Sequence, residues 1–483
     1  MVPAIRGGRE GARRAAVKPV VAALAAVALL SAAGCRSSEP AGRPPVVVIL
    51  ADTLRADYMG AYGFQGDVSP NLDAIAARGV VFENCVAQSP WTKPSIATLF
   101  TGLYPEVHKV LTENGQYRER ATRKPETDIV SDDAATLAEQ LRARGYATAG
   151  FVANPWIRAA HGYGQGFDVF NTDGAANEMP GSEIVARALR WLGERKQGEP
   201  YFLYLHLMDT HGPYRAADEH FHALAGSSAA AGDPIVLNDA LFERIPPYLR
   251  VPEWTKAEDS RDVRVWRQRY AAGLRSLDAA LAPLFAELQQ RGEFDDALIV
   301  FTADHGEELF DHGRWDHGYT LYEHQTHVPL IVRYPGAAHA GKRVEPVVGL
   351  LDVMPTVLDV AGATIPPATQ GKALTALIEG GAKVREAIFS EAVKWRPEMR
   401  SVRTTRHKLI VDEGDDTRML FDLEADPGEK RNLATAERET TDRLLALLRL
   451  HQDANAAHSG LAGGTAEVPE DVAERLRALG YLE

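Results

Sequence analysis

Five short apolar runs, Val46–Leu50, Thr148–Ala153, Tyr201–His206, Ala297–Thr302 and Val328–Arg333, constrain the fold of this chain more than any other feature. Each is compact and almost wholly apolar, which predicts a strand buried on both faces. Helical signals lie between them. Ser131–Arg144 opens on Ser-Asp-Asp and stops at Gly145, and Val265–Arg291 sets Leu274, Leu277, Leu281, Leu284 and Leu288 on one face before Gly292. Strands alternating with helices predict an α/β fold with a large, mostly parallel central sheet flanked by helices.

This rhythm breaks in two places. Residues 213–262 are rich in Ala, Gly, Pro and charge and read as a loop-dominated insertion. From residue 381 to 455 short segments, Arg385–Val393, Arg400–Asp412 and Arg418–Leu423, predict a small antiparallel sheet, followed by a helix at Leu433–Ala454. The main domain is thus expected over 46–380, with a tail over 456–483 that regains a helical pattern at Pro469–Leu479.

The N-terminus reads as a targeting signal. Residues 1–34 combine a basic start with the apolar stretch Val20–Ala33, and Ala-Ala-Gly precedes Cys35, with a short linker over 35–45. This resembles a bacterial lipoprotein signal with Cys35 as the lipidated first residue, placing the body in the cell envelope, facing the periplasm or exterior and tethered by lipid alone. Lipid on Cys35 would leave Cys85 without a disulfide partner. The signal carries a net +4, so the remaining chain carries −17 against −13 for the whole. A body this acidic excludes nonspecific nucleic-acid binding, and an anionic substrate then needs a local device such as a metal ion to hold it.

Polar residues cluster where the apolar runs end. The first run leads into Asp52, the second into Asn154, the third into His206, Asp209 and His211, and the fourth into Asp304-His305-Gly306-Glu307. Ligands of open α/β sheets bind beyond the carboxyl ends of strands, so these exits converge on one site. Asp52, Asp304 and His305 suit one divalent cation, with Ca2+, Mn2+, Mg2+ and Zn2+ all compatible; Asp209, His211 and His317 leave a second ion open. In Ser89–Gly102, Pro94 suits a first helical turn and Gly102 a stop, so Thr92 falls at a helix N-terminus, where an anion is favoured and a metal would activate its hydroxyl.

With these pieces in place the chain resembles the sulfatase family of the alkaline phosphatase superfamily. The matching segments are Val48–Asp57, Thr92–Pro105, His206–Tyr214, Phe301–Glu307, His317–Glu323, and Leu420–Leu423 with Asp426–Glu429, in the family's order. The resemblance implies an alkaline phosphatase-like fold and a metal site of Asp52, Asp304, His305 and the Thr92 oxygen. It also implies substrate or leaving-group contacts from His211, and from His317 where many sulfatases carry lysine. Asn154 is a candidate amide for the substrate anion. Lys93, beside the nucleophile, is a candidate contact too, though it reads more readily as facing solvent.

The chain also departs from that family. Sulfatases carry Cys or Ser in Cys-x-Pro-x-Arg, which matures to formylglycine; here the segment is Thr92-Lys93-Pro94-Ser95-Ile96, and Thr53 stands at a second acidic metal position. The Lys-x-His pair of the family is absent, the chain reading Val152-Ala153-Asn154-Pro155. Threonine cannot yield the aldehyde, and threonine nucleophiles of the superfamily accompany phosphoryl transfer. The expectation is a metal-dependent hydrolase acting through Thr92 on phosphate mono- or diesters or related sulfate and phosphonate esters. Its substrate would be a small molecule, glycan or lipid head group. A sulfuric ester hydrolase and a non-catalytic envelope binding protein on the same fold are the alternatives.

Overall fold

Every expected strand core forms, and the four whose exits carry the candidate residues lie side by side. The computed structural model describes residues 42–111, 126–173, 179–228, 234–245, 249, 261–381, 385–394, 398–458, 461–468, 470 and 473–474. Its central sheet contains β1 (Val46–Ala51), β2 (Val80–Phe82), β3 (Ala147–Val152), β4 (Val169–Asn171), β5 (Tyr201–Leu207), β6 (Leu298–Thr302), β7 (Leu330–Arg333) and β8 (Lys342–Val344). They are ordered β8-β2-β7-β6-β1-β5-β3-β4. β1 pairs in parallel with β5 and β6, and β3 in parallel with β5 and β4. Register sets Leu50 opposite both His206 and Thr302, so Asp52 and Asp304 leave the sheet at one level, two residues beyond His206 in the strand between them and β3.

β7 runs antiparallel to both β6 and β2, so the sheet is mixed at this side. The run Val328–Arg333 is also interrupted at Pro329, with Val328 pairing outside the central sheet. Proline has no N–H to donate to a ladder, which accounts for the break.

Helix α1 (Thr92–Thr101) begins at the expected threonine and stops at Gly102, whose φ of 66° is the left-handed conformation that ends helices. All ten of its residues are buried. The expected helix at Ser131–Arg144 is shorter: it spans Leu137–Ala143, because Thr136 and Glu139 form a capping box and Ser131–Asp133 stay outside it. The long helix α2 (Val263–Gln290) turns its leucine face into the core and lies close against the loop after β5. A Cβ on Gly273 would sit 2.2 Å from the Asp209 carbonyl oxygen, so this close approach requires glycine.

Among the described residues the insertion over 213–262 contains the short helices Asp218–Ala223 and Asp239–Phe242. The C-terminal segment forms the antiparallel sheet β9 (Ile388–Ser390), β10 (Met399–Arg403), β11 (His407–Asp412) and β12 (Arg418–Asp422), with α3 (Arg438–Ala457) packed on it. The tail departs from expectation: Gly464–Glu467 is a strand, paired antiparallel with Glu126–Ile129. Most of Pro469–Leu479, all of the leader and Cys35 lie outside the described residues. No helix among the described residues is long and apolar enough to cross a membrane.

Gly273→Ala is expected to destabilise the protein by about 2 kcal/mol through this overpacking, measured as a shift of the denaturant midpoint. An unchanged midpoint would show that α2 has room to move.

Candidate active site

Asp52 leaves the end of β1 fully buried. Its Oδ2 accepts from Asn154 Nδ2 at 2.7 Å and from His206 Nε2 at 2.9 Å. Asp304, beyond β6, accepts at Oδ1 from the Thr53 N–H at 3.3 Å. The other two oxygens, Asp52 Oδ1 and Asp304 Oδ2, are buried and have no hydrogen-bond partner among the described residues. His305 Nε2 lies 3.8 Å from the first and 3.3 Å from the second. Its Nδ1 donates to the Gly306 carbonyl at 2.9 Å, which leaves the Nε2 lone pair facing this cluster.

Burial opposes the charge on both carboxyls. The His206 hydrogen bond and the surrounding imidazoles of His211 and His305 hold Asp52 well below the usual carboxylate range. Burial and the Asp52 carboxylate together push Asp304 well above it. Two carboxylates this close and this dry do not both ionise without a cation. The two orphaned oxygens, an imidazole lone pair and a neighbouring hydroxyl are a donor set that fits a divalent ion.

That hydroxyl is Thr92 Oγ1, at the first residue of α1 and 3.3 Å from His305 Nε2. Trp91, the residue before this helix, makes no side-chain capping bond to it. The preceding turn is tied to the C-terminal segment, where Ser89 Oγ and Trp91 Nε1 both donate to the Ala392 carbonyl, at 3.0 and 2.7 Å.

Two more imidazoles complete the cluster. The ring of His317 lies 4.5 Å from that of His305 and 5.2 Å from that of His211, centre to centre. Burial works against a charge on His317, but Asp316 at 3.0 Å and Glu307 at 3.2 Å from its Nδ1 raise it to about 10, so it is an imidazolium at neutral pH. His211 donates from Nδ1 to the Gly212 carbonyl at 2.6 Å, and burial keeps it below its ordinary value, hence neutral.

Thr92, His211, His317, Asp52, Asp304 and His305 therefore meet at one place, and three expectations change. Lys93 does not face solvent: it is buried, with its ammonium on Thr127 Oγ1 and, at 2.7 Å, on the Asp128 carbonyl. Asn154 spends its amide on Asp52 and the Trp156 N–H, so it orients the Asp52 carboxylate. The Asp209 carboxylate accepts from the Gly181 N–H at 3.0 Å, where it caps a helix instead of joining His211 and His317. Thr53, with φ at 62°, donates its hydroxyl to the Thr210 carbonyl.

The residues not assigned from sequence are those that brace others. His206 holds Asp52, and Glu307 and Asp316 charge His317. A single histidine in the apolar run Tyr201–Leu207 was the available signal for the first.

Because Asp304 binds a proton more tightly folded than unfolded, its contribution favours the metal-free fold at low pH and is lost as pH rises above the ordinary carboxylate range. In chelator at neutral pH, Asp304→Asn is therefore expected to melt above the wild type, by calorimetry; equal or lower melting would contradict the carboxylate pairing.

Comparison with known proteins gives the family. Residues 44–363 match the Sulfatase family, and residues 310–453 match the C-terminal region of N-sulphoglucosamine sulphohydrolase. The chain is 26% identical to an N-acetylglucosamine-6-O-sulfatase of Bacteroides thetaiotaomicron, covering 84% of this chain and 86% of that one. It is also 26% identical to a choline-sulfatase of Rhizobium meliloti, covering 90% of each. The solved phosphonate monoester hydrolase of Agrobacterium radiobacter shares the fold, with a TM-score of 0.68 at 22% identity over 88% of this chain and 100% of that one. With the match spanning most of its length and the site assembled at its strand ends, the chain belongs to the sulfatase family of ester hydrolases.

Proposed function

We propose that this protein is a metal-dependent phosphoester hydrolase that uses Thr92 as its nucleophile, on phosphate mono- or diesters and related phosphonate or sulfate esters. The observation that carries this reading is the Thr92 hydroxyl, buried at a helix N-terminus and 3.3 Å from His305 Nε2 beside two unpartnered carboxylate oxygens. Apart from Cys35 the chain has one cysteine, Cys85, and it is followed by Val86-Ala87 with no proline two positions on, so it lies outside the Cys-x-Pro-x-Arg pattern of a formylglycine precursor.

Asp52, Asp304, His305 and Thr92 Oγ1 would hold the ion, which when bound lowers the hydroxyl pKa and offsets charge on the ester oxygens. The remaining chemistry falls to the chain. The N-terminal end of the α1 dipole and the His317 imidazolium would face the developing negative charge, where fixed charges in a dry site act most strongly. His211 stands where it can contact the leaving oxygen, and His206 and Asn154 keep Asp52 from rotating. A phosphothreonine formed this way is cleared by in-line attack of water, which needs no aldehyde.

Beside Trp315 and Tyr319, which flank His317 in sequence, a cavity of about 320 Å³ is also lined by Leu241, Arg244, Phe310 and Arg314. Two guanidinium groups and an aromatic wall there suit a ring-bearing or anionic remainder of the substrate, and Leu241 and Arg244 come from the 213–262 insertion. Cleavage of sulfate esters is the second reading, supported by the names of the relatives. Lipid on Cys35 would hold the enzyme in the bacterial envelope, facing the periplasm or exterior.

Release of alcohol from paired aryl phosphates, phosphonates and sulfates is expected to favour the phosphorus esters. Thr92→Ala should lower kcat by at least about 10³-fold, with metal content unchanged within one equivalent. Metal-dependent turnover surviving in Thr92→Ala, or a preference for sulfate, would overturn the proposal. Glu307→Gln removes one of the two carboxylates that raise His317, so the alkaline limb of kcat/KM should move downward from about pH 10. An unmoved limb would separate His317 from catalysis.

A further inference from the structure

We infer that Glu308, His312 and His324 form a second divalent-metal site, of the kind that takes Zn2+, separate from the catalytic cluster. Each of the three offers one ligand atom, and these atoms lie within 4.8 Å of one another. The details of their hydrogen bonding point to an ion. Glu308 is fully buried, and its Oε1 accepts from the His312 and Arg314 N–H groups at 2.8 and 3.0 Å. Its Oε2 is thereby aimed at His324 Nε2, 3.2 Å away, and His324 is itself buried.

His312 supplies the decisive detail. Its Nε2 donates to the Glu429 carbonyl at 3.2 Å, which places the lone pair on Nδ1. Nδ1 is buried and has no partner among the described residues. A ring whose outer nitrogen is fixed by a backbone carbonyl, while the inner one keeps a free lone pair, is the arrangement of a metal-bound histidine. Stacking on Tyr322, with centroids 3.9 Å apart and planes 3° from parallel, fixes the ring plane as well.

A hydrogen bond between Glu308 and His324 would satisfy those two groups but leave His312 Nδ1 with nothing. One ion satisfies all three. Nitrogen and oxygen ligands about 2.1 Å from a tetrahedral zinc lie about 3.4 Å from each other, close to the Glu308–His324 separation of 3.2 Å. Two imidazoles and one carboxylate favour a borderline transition ion over Ca2+ or Mg2+. A cavity of about 350 Å³ lined by His312, Arg314, Tyr322 and Met419 adjoins the His312 side of the cluster.

The three ligands span residues 308–324, the excursion that begins beside His305 and carries His317. An ion there would hold this excursion in shape, and the inference stands whether or not Thr92 is the nucleophile.

The test is zinc stoichiometry on the full metal-stripped chain by titration calorimetry and elemental analysis. Asp52→Asn/Asp304→Asn silences the catalytic cluster and is expected to retain one Zn2+ equivalent and a zinc-dependent rise in melting temperature. Adding His324→Gln, or separately His312→Gln, should remove that equivalent and the rise. No zinc bound to the double variant would overturn the site, as would unchanged stoichiometry after either histidine change. Should one histidine variant fail to fold, the other decides.

Discussion

Asp52 and Asp304 face each other, both buried, at the mouth of the sheet, and the chain alone does not neutralise them. One oxygen of each is satisfied by protein donors, and one of each is left without a partner. Burying a charge without compensation is costly, so the arrangement carries a standing demand for a cation. That demand organises everything nearby. His305 presents a lone pair to the same space, and Thr92 brings a hydroxyl to His305. His206 and Asn154 hold Asp52 from behind.

Helix α1 depends on more of the molecule than its own segment. Its N-terminus is set by Ser89 and Trp91 gripping the Ala392 carbonyl, so the strand leading from the C-terminal sheet helps place Thr92. Lys93, next in the chain, is anchored by Thr127 and Asp128 from the strand that pairs with Gly464–Glu467. On the far side of the site, residues 305–324 leave and return with His317, charged by two carboxylates. Glu307, which is buried, and Asp316, which is partly exposed, together favour the charged form of His317.

Much of this was legible in the sequence because it rests on local chemistry. Apolar runs predicted buried strands, and an acid or histidine after each predicted a converging site. Pro94 and Gly102 bracketed the helix that starts at Thr92. What was not legible depends on distant partners. The apolar run Val328–Arg333 says it is buried but not which way it runs, and it runs antiparallel to β6. Lys93, directly after Thr92, reads as solvent-facing until Thr127 and Asp128 are seen to receive it. Asn154 and Asp209 sit at strand exits as expected, yet one orients Asp52 and the other caps a helix, and only the fold decides between those uses. The tail strand at Gly464–Glu467 exists because residues 126–129 offer it an edge, which its own glycine-rich composition does not announce.

The central claim is that the ester's phosphorus passes through Thr92 before water takes it. Two in-line displacements restore the original configuration, and a single direct attack by water inverts it. Hydrolysis of one diastereomer of a phosphorothioate diester in 18O-water, with the configuration of the product read by phosphorus NMR, distinguishes the two. Net retention is the result this account predicts, and net inversion would contradict it.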